Sequence, residues 1–357
     1  MNAYFDVLEL YYLPQYLPVA KKLQGIGVEC SYVFYRDASR YEQQLNVIAE
    51  NNLTVKWVDS KDQAKDLYLV EKPTWLFIGS YFEGLQEIHA NTKTALLSHG
   101  IGPKACYYTV SDAKPTVRFV EGGYRKQRLE QMYPEQEFVD TGYAKLDPVI
   151  NGELANMKPS DYGLDDNKKT LLYAPTFYPS SIECFSKQFA QEFSEYNIIL
   201  KPHYFSLVSE KYKKQKKRLE YWAQSENVYL ARENEVNILP FMAVSDVLVS
   251  DASSTLFEFA ALNKPVVWCD FYKLRWGYRG LLNFRFKERM DEDLYKYANI
   301  AAHAKNYKEL KAVVESQVNN PDEYKQAREA CTQDLAGTVD GKVGDRIAQY
   351  IRKSLNG

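Results

Sequence analysis

The sequence predicts an α/β protein built on two open parallel sheets, and three observations carry that expectation. Short apolar, often β-branched runs alternate with amphipathic stretches of helical length along most of the chain. That alternation implies right-handed crossovers and parallel strands covered by helices on both faces. At 357 residues the chain also exceeds one ordinary domain. The alternation lapses once, over 150–169 (INGELANMKPSDYGLDDNKK), where turn formers and charges dominate, and then restarts. We read this stretch as an interdomain linker. It separates a domain at 1–155 from one at 156–343, and a C-terminal helix at 344–357 is expected to return to the first.

In the first half, strands are expected at 3–10, 28–34, 53–58, 74–78, 94–98, 117–121 and 138–141, with helices at 14–23, 40–50, 60–71 and 124–132. Gly25-Ile26-Gly27 stops the first helix. In the second half, strands are expected at 170–174, 198–201, 228–230, 247–249 and 266–269, with helices at 184–195, 207–224 and 237–243 and an amphipathic one at 344–355. In open parallel sheets ligands bind beyond the carboxyl ends of the strands, so a cleft between the two sheets is the expected site.

Composition narrows the function. Hydrophobic content of 45% with 26% charge is a globular balance, and no segment approaches the ~20 apolar residues of a membrane span. The start of the chain lacks a basic region followed by a long apolar one, so a cytoplasmic location is expected. Five cysteines are scattered without close pairs, which argues against a disulfide framework and a zinc site. A net charge of −2 makes no case for nucleic acid. Carboxylates do not cluster as a divalent metal would require, and neither a GxGxxG nor a Walker sequence occurs, so no cofactor is expected.

The stretch from Val244 to Asp270 organises the second half: strand, polar turn, helix, strand. Thr255-Leu256-Phe257-Glu258 has capping-box spacing, and Asn263-Lys264-Pro265 ends the helix. Ser250, Asp251, Ser253 and Ser254 gather where that helix begins. Two readings stand: the serines only cap the helix, or they donate to a phosphate held at its positive end. Two of the four histidines, His99 and His203, follow strands directly. A histidine at a strand end can serve as a base or as a proton donor, or can simply satisfy loop carbonyls. His89 and His303 read as surface residues in helical contexts. Thr176, in the strand-end turn Tyr173-Ala174-Pro175-Thr176, can donate to a phosphate or only make the turn. The basic run Lys211 to Arg218, beside Tyr221 and Trp222, reads as a solvated helix face or as one resting on anionic lipid.

These pieces together resemble the CDP-glycerol glycerophosphotransferases, the primases and polymerases of teichoic acids and related capsule polymers. The resemblance rests on Ser98-His99-Gly100 followed by Pro103-Lys104, on TGYAKLD (141–147), LLYAPTFY (171–178), LKPH (200–203), SDVLVSDASSTLFEFAALNKP (245–265) and DGKVGDRI (340–347), in that order. It implies a GT-B fold of two Rossmann-like domains and transfer of an alditol phosphate from a CDP-linked donor to a hydroxyl, releasing CMP and needing no metal. The acceptor is expected to be a glycan or lipid-linked polymer in cell-surface synthesis, with the chain resting peripherally on the inner membrane face. By this resemblance His99 is the catalytic base and His203 contacts donor phosphate. Ser253 and Ser254 hold phosphate together with Thr176 and Lys201. Glu258 takes the ribose hydroxyls, Asp251 and Pro175 lie on the nucleotide side, and Gly100 and Lys104 lie on the acceptor side. The sequence departs from the family pattern at Ile101-Gly102, Ala144-Lys145, Tyr204 and Ala252. A GT-B glycosyltransferase or nucleotide-sugar 2-epimerase shares the expected architecture, and a non-catalytic subunit of a polymer-assembly complex would keep the fold without turnover.

Overall fold

Trp75, Leu76, Phe77 and Ile78 are all buried, at 0, 0, 0 and 1% exposure. A strand apolar on both faces must lie inside a sheet covered on both sides. The computed structural model describes all residues except 103–105, 252, 274–291 and 357. It divides into two units: unit 1 comprises Met1–Ile101, Ala105–Asn151 and Gln333–Gly357, and unit 2 comprises Gly152–Thr332 with Gly102–Lys104.

Unit 1 holds a parallel seven-stranded sheet of β1 (Asn2–Val7), β2 (Glu29–Tyr35), β3 (Val55–Val58), β4 (Trp75–Ile78), β5 (Lys93–Leu97), β6 (Val117–Val120) and β7 (Phe138–Asp140). Their order is β3-β2-β1-β4-β5-β6-β7, so chain direction across the sheet reverses between β1 and β4. Phe5 and Phe77 stack across that junction, 4.6 Å between centroids. Asp6, at the end of β1, is buried and accepts from the hydroxyls of Tyr35 (2.6 Å) and Tyr68 (2.7 Å), tying β2 and the helix Lys61–Glu71 to the sheet.

The C-terminal helix Val343–Asn356 belongs to unit 1, and two of the motifs named above meet there. Asp147 accepts from the Gly344 N–H at 3.0 Å, one of the donors a helix start leaves unsatisfied. Arg346 donates to the Thr141 carbonyl at 2.8 Å and grips both oxygens of Asp340 at 3.0 and 2.9 Å.

Unit 2 holds a parallel six-stranded sheet of β8 (Thr170–Tyr173), β9 (Asn197–Leu200), β10 (Val228–Leu230), β11 (Val247–Ser250), β12 (Val266–Cys269) and β13 (Ala302–Ala304). The order is β10-β9-β8-β11-β12-β13, with the reversal between β8 and β11. Its core is aromatic: Tyr173 stacks on Phe185 at 4.4 Å, with Phe189 and Trp222 edge-on around them.

Several local expectations are corrected. The first strand ends at Val7, and Leu10–Tyr12 forms a 3-10 turn. The expected helix at 184–195 shrinks to Phe189–Glu192, because the Trp222 indole N–H takes the carbonyls of Ser186 and Lys187 (3.1 and 3.2 Å) and holds that stretch out of a helix. The same bonds bury Trp222, so it is core and not a membrane-facing ring. The helix expected at 207–224 divides into Tyr204–Val208 and Lys213–Trp222, since Ser209 is extended at φ −83°, ψ 125°. His303 lies in β13, with Nδ1 3.0 Å from Asp270 and Nε2 2.8 Å from the Ala298 carbonyl, so it is a paired residue. His89 is half-buried, its Nε2 2.7 Å from the Thr94 hydroxyl.

Candidate active site

In each unit the candidate residues stand at the carboxyl ends of strands at or next to the reversal point, where open α/β sheets present ligand sites. In unit 1 the neighbouring ends of β1, β4 and β5 lead into Tyr11-Tyr12, Gly79 and His99. The half-buried His99 ring stacks on Tyr12 (5.0 Å, 26°) and meets Tyr11 and Tyr107 edge-on at 4.9 and 5.7 Å. Its Nδ1 lies 3.3 Å from the Gly79 carbonyl. A carbonyl oxygen only accepts, so Nδ1 carries the proton and Nε2 of the neutral ring carries the lone pair. Tyr143, from the TGYAKLD stretch, donates to the His99 carbonyl at 3.0 Å and fixes the backbone. Gly100 is buried and its carbonyl accepts from Ser98, so it closes the turn after the strand. Lys104 lies outside the described residues.

In unit 2 the ends of β8, β9 and β11 bring together Pro175, Thr176, Lys201, His203, Asp251, Ser253 and Ser254. The Pro175 carbonyl accepts from the His203 N–H at 3.1 Å, and Tyr173 accepts from the Lys201 N–H at 2.9 Å, so the two loops run together. His203 precedes the short helix Tyr204–Val208, and its Nδ1 accepts from the Phe205 N–H at 3.2 Å. Here the lone pair is on Nδ1, and the proton therefore sits on Nε2. The two histidines are held as opposite tautomers.

Two candidates change character. Asp251 is fully buried, with Oδ1 accepting from the Thr176 N–H (2.7 Å) and Oδ2 from the N–H and hydroxyl of Ser181 (both 2.9 Å). Burial pushes its carboxyl up, against the hydrogen bonds it accepts. With both oxygens occupied it pins the 176–181 loop and does not face a nucleotide. Thr176 donates its hydroxyl to the Pro179 carbonyl, so that proton is committed within the turn and not aimed at a phosphate.

The expected capping box does not form. Thr255 opens the helix Thr255–Ala261, and Glu258 is buried at 1% exposure in its first turn. Ser253 does the capping: its Oγ accepts from the Thr255 N–H (3.3 Å) and hydroxyl (2.8 Å). Its own hydroxyl proton is not used in these two bonds. Sequence reasoning missed Ser181, Tyr12 and Gly79. A glycine ending a fully apolar strand was the signal for Gly79, and the Tyr11-Tyr12 doublet after β1 was the signal for the ring wall. Among the described residues no cluster of His, Cys, Asp and Glu could hold a metal ion, and no helix is long and apolar enough to cross a membrane.

The profile of the CDP-Glycerol:Poly(glycerophosphate) glycerophosphotransferase family matches residues 112–353, more than half the chain. A teichoic acid glycerol-phosphate primase of Bacillus spizizenii is 32% identical over 116 residues, covering 32% of this chain and 29% of the relative. A teichoic acid poly(glycerol phosphate) polymerase of the same organism is 28% identical over 162 residues, covering 39% and 37%. The match thus spans well under two thirds of these curated relatives' lengths. The solved wall teichoic acid polymerase TagF superposes with a TM-score of 0.66 at 15% identity, over 100% of this chain and 89% of that one. A UDP-GlcNAc 2-epimerase from Neisseria meningitidis gives 0.63 at 14%, over 99% and 100%. These likenesses show the fold alone, two parallel-sheet α/β domains of GT-B-like type.

Proposed function

This chain belongs to the CDP-glycerol:poly(glycerophosphate) glycerophosphotransferase family, and we propose that it transfers glycerol phosphate, or a related alditol phosphate, from a CDP-linked donor to a hydroxyl of a glycan or lipid-linked acceptor. His99 Nε2 takes the proton of the acceptor hydroxyl. The freed oxygen attacks the phosphorus bearing the alditol, the bond from that phosphorus to the bridging oxygen breaks, and CMP leaves. His203 Nε2–H, the hydroxyls of Ser253 and Ser254 and the Lys201 ammonium stabilise charge on the phosphates. Such transfer depends mostly on positioning and electrostatics. Glu258 is assigned to the ribose and Pro175 to the nucleotide side, with Gly100 and Lys104 on the acceptor side. No metal or cofactor is part of this proposal.

One observation supports the reading above the rest: the two strand-end histidines are held as opposite tautomers, one with a basic Nε2 and one with a donating Nε2–H. A base and a phosphate donor need these two states. We also assign a peripheral seat on the inner membrane face. Exposed Phe205, Val208 and Tyr221 (41, 38 and 40%) stand near exposed Lys211, Lys213, Lys214 and Lys217, a pairing of apolar and basic groups suited to anionic lipid.

The test is product analysis with CDP-glycerol, CDP-ribitol and UDP-GlcNAc, each with a lipid-linked glycan acceptor. CMP release with alditol phosphate on the acceptor is the expected result. Release of a nucleoside diphosphate would make the chain a glycosyltransferase, epimerisation of UDP-GlcNAc would make it an epimerase, and binding without turnover would make it a scaffold.

A further inference from the structure

The His99 imidazole is held by groups from three adjacent strand ends, and two of them have no role in the proposal above. Gly79 follows β4, and its carbonyl is the partner of Nδ1 at 3.3 Å. Tyr12 follows β1, is 3% exposed, and lies nearly parallel to the imidazole at 5.0 Å. These two residues also constrain each other. A Cβ added to Gly79 would fall 2.6, 2.8 and 2.9 Å from the Tyr12 ring carbons Cδ2, Cγ and Cε2, inside any allowed carbon contact. Gly79 is absent from the residues of positive φ, so its φ accepts a side chain, and the nearest atoms such a side chain meets are those of the tyrosine ring.

We propose that Gly79 and Tyr12 are positioning residues for His99: the Gly79 carbonyl holds the Nδ1–H tautomer, and the Tyr12 ring, seated only because Gly79 lacks a side chain, fixes the imidazole plane. The inference rests on the reading of His99 as the base. A base is useful only in the tautomer whose lone pair faces the proton it removes, and misplacement by about 1 Å costs on the order of 10²-fold. A ring stacked on one side and bonded through Nδ1 has neither freedom to flip nor reason to exchange its proton.

The chain has four histidines, so long-range nitrogen–proton NMR of the ¹⁵N-labelled full-length protein resolves them, and the signal lost in His99→Asn identifies His99. In the wild type the His99 signals should report a proton on Nδ1. Gly79→Ala and Tyr12→Leu should convert that pattern to a mixture of tautomers. Both should lower kcat for CMP release from CDP-glycerol by about 10- to 100-fold, with donor KM little changed. Tyr12→Phe, which keeps the ring, should recover the pattern and most of the turnover. A wild-type His99 with its proton on Nε2 overturns the inference without need of any variant. So does an unchanged pattern in Gly79→Ala and Tyr12→Leu. A pattern lost as expected with turnover unaffected supports the positioning and instead removes His99 as the base.

Discussion

The two candidate sites are built from different materials, though each stands at a reversal point of its sheet. In unit 1, His99 is walled by tyrosine rings and tied by one backbone carbonyl. In unit 2, the loops around His203 are laced by hydrogen bonds that converge on a buried carboxylate, Asp251. The ring wall fixes orientation by stacking and edge-on contacts. The hydrogen-bonded loops fix position through backbone and side-chain donors that a buried acceptor holds. The backbone group that meets Nδ1 also differs, a carbonyl in one unit and an N–H in the other.

The largest effect should come from removing the base. His99→Ala should lower turnover by ~10²–10⁴-fold, the usual contribution of a general base, and steady-state kinetics of CMP release measures it. In unit 2 the counterpart is structural. Asp251→Ala strands three donors, the part-buried Thr176 N–H and the buried N–H and hydroxyl of Ser181, at a cost of ~1–3 kcal/mol for each buried one left without an acceptor. Denaturant unfolding should show that loss. Asp251→Asn should recover part of it, because the amide oxygen can take the place of Oδ2 and accept both Ser181 bonds while the amide nitrogen faces only the Thr176 N–H.

A smaller effect sharpens the contrast within unit 2. Ser253→Ala combined with Ser254→Ala should weaken donor binding by ~1–3 kcal/mol in calorimetry with the unfolding midpoint nearly unchanged. The smallest concerns pH and the other motif carboxylate. Burial raises the pKa of Asp147 from its usual 3.8 to about 6. Between those values the folded state holds a proton that the unfolded chain has released. Its contribution to stability is therefore full below the lower value and lost as pH rises to about 6. Unfolding midpoints followed across that window should decline in the wild type, and Asp147→Asn should flatten the decline.

The strands were legible because a parallel sheet buries both faces and leaves continuous apolar runs such as Trp75–Ile78 and Val247–Val249. His99 and His203 were legible because each directly follows such a run. Asp251 was misread for the same reason, since a strand-end position looks alike whether the side chain turns outward or, as here, inward onto Thr176 and Ser181. Gly79 and Tyr12 each carried a local signal, but their meeting with His99 appears only once β1, β4 and β5 lie side by side. The short strand β13 went unseen because Ala302-His303-Ala304 carries no alternation, and only its pairing with β12 makes it a strand.

The division of labour between the units is tested most directly by titrating the CDP-linked donor into His99→Ala and His203→Ala by calorimetry. Donor affinity should stay at the wild-type value in the first variant and fall in the second, because only His203 is assigned to the donor phosphates. Weakened affinity in His99→Ala with unchanged affinity in His203→Ala would contradict the account.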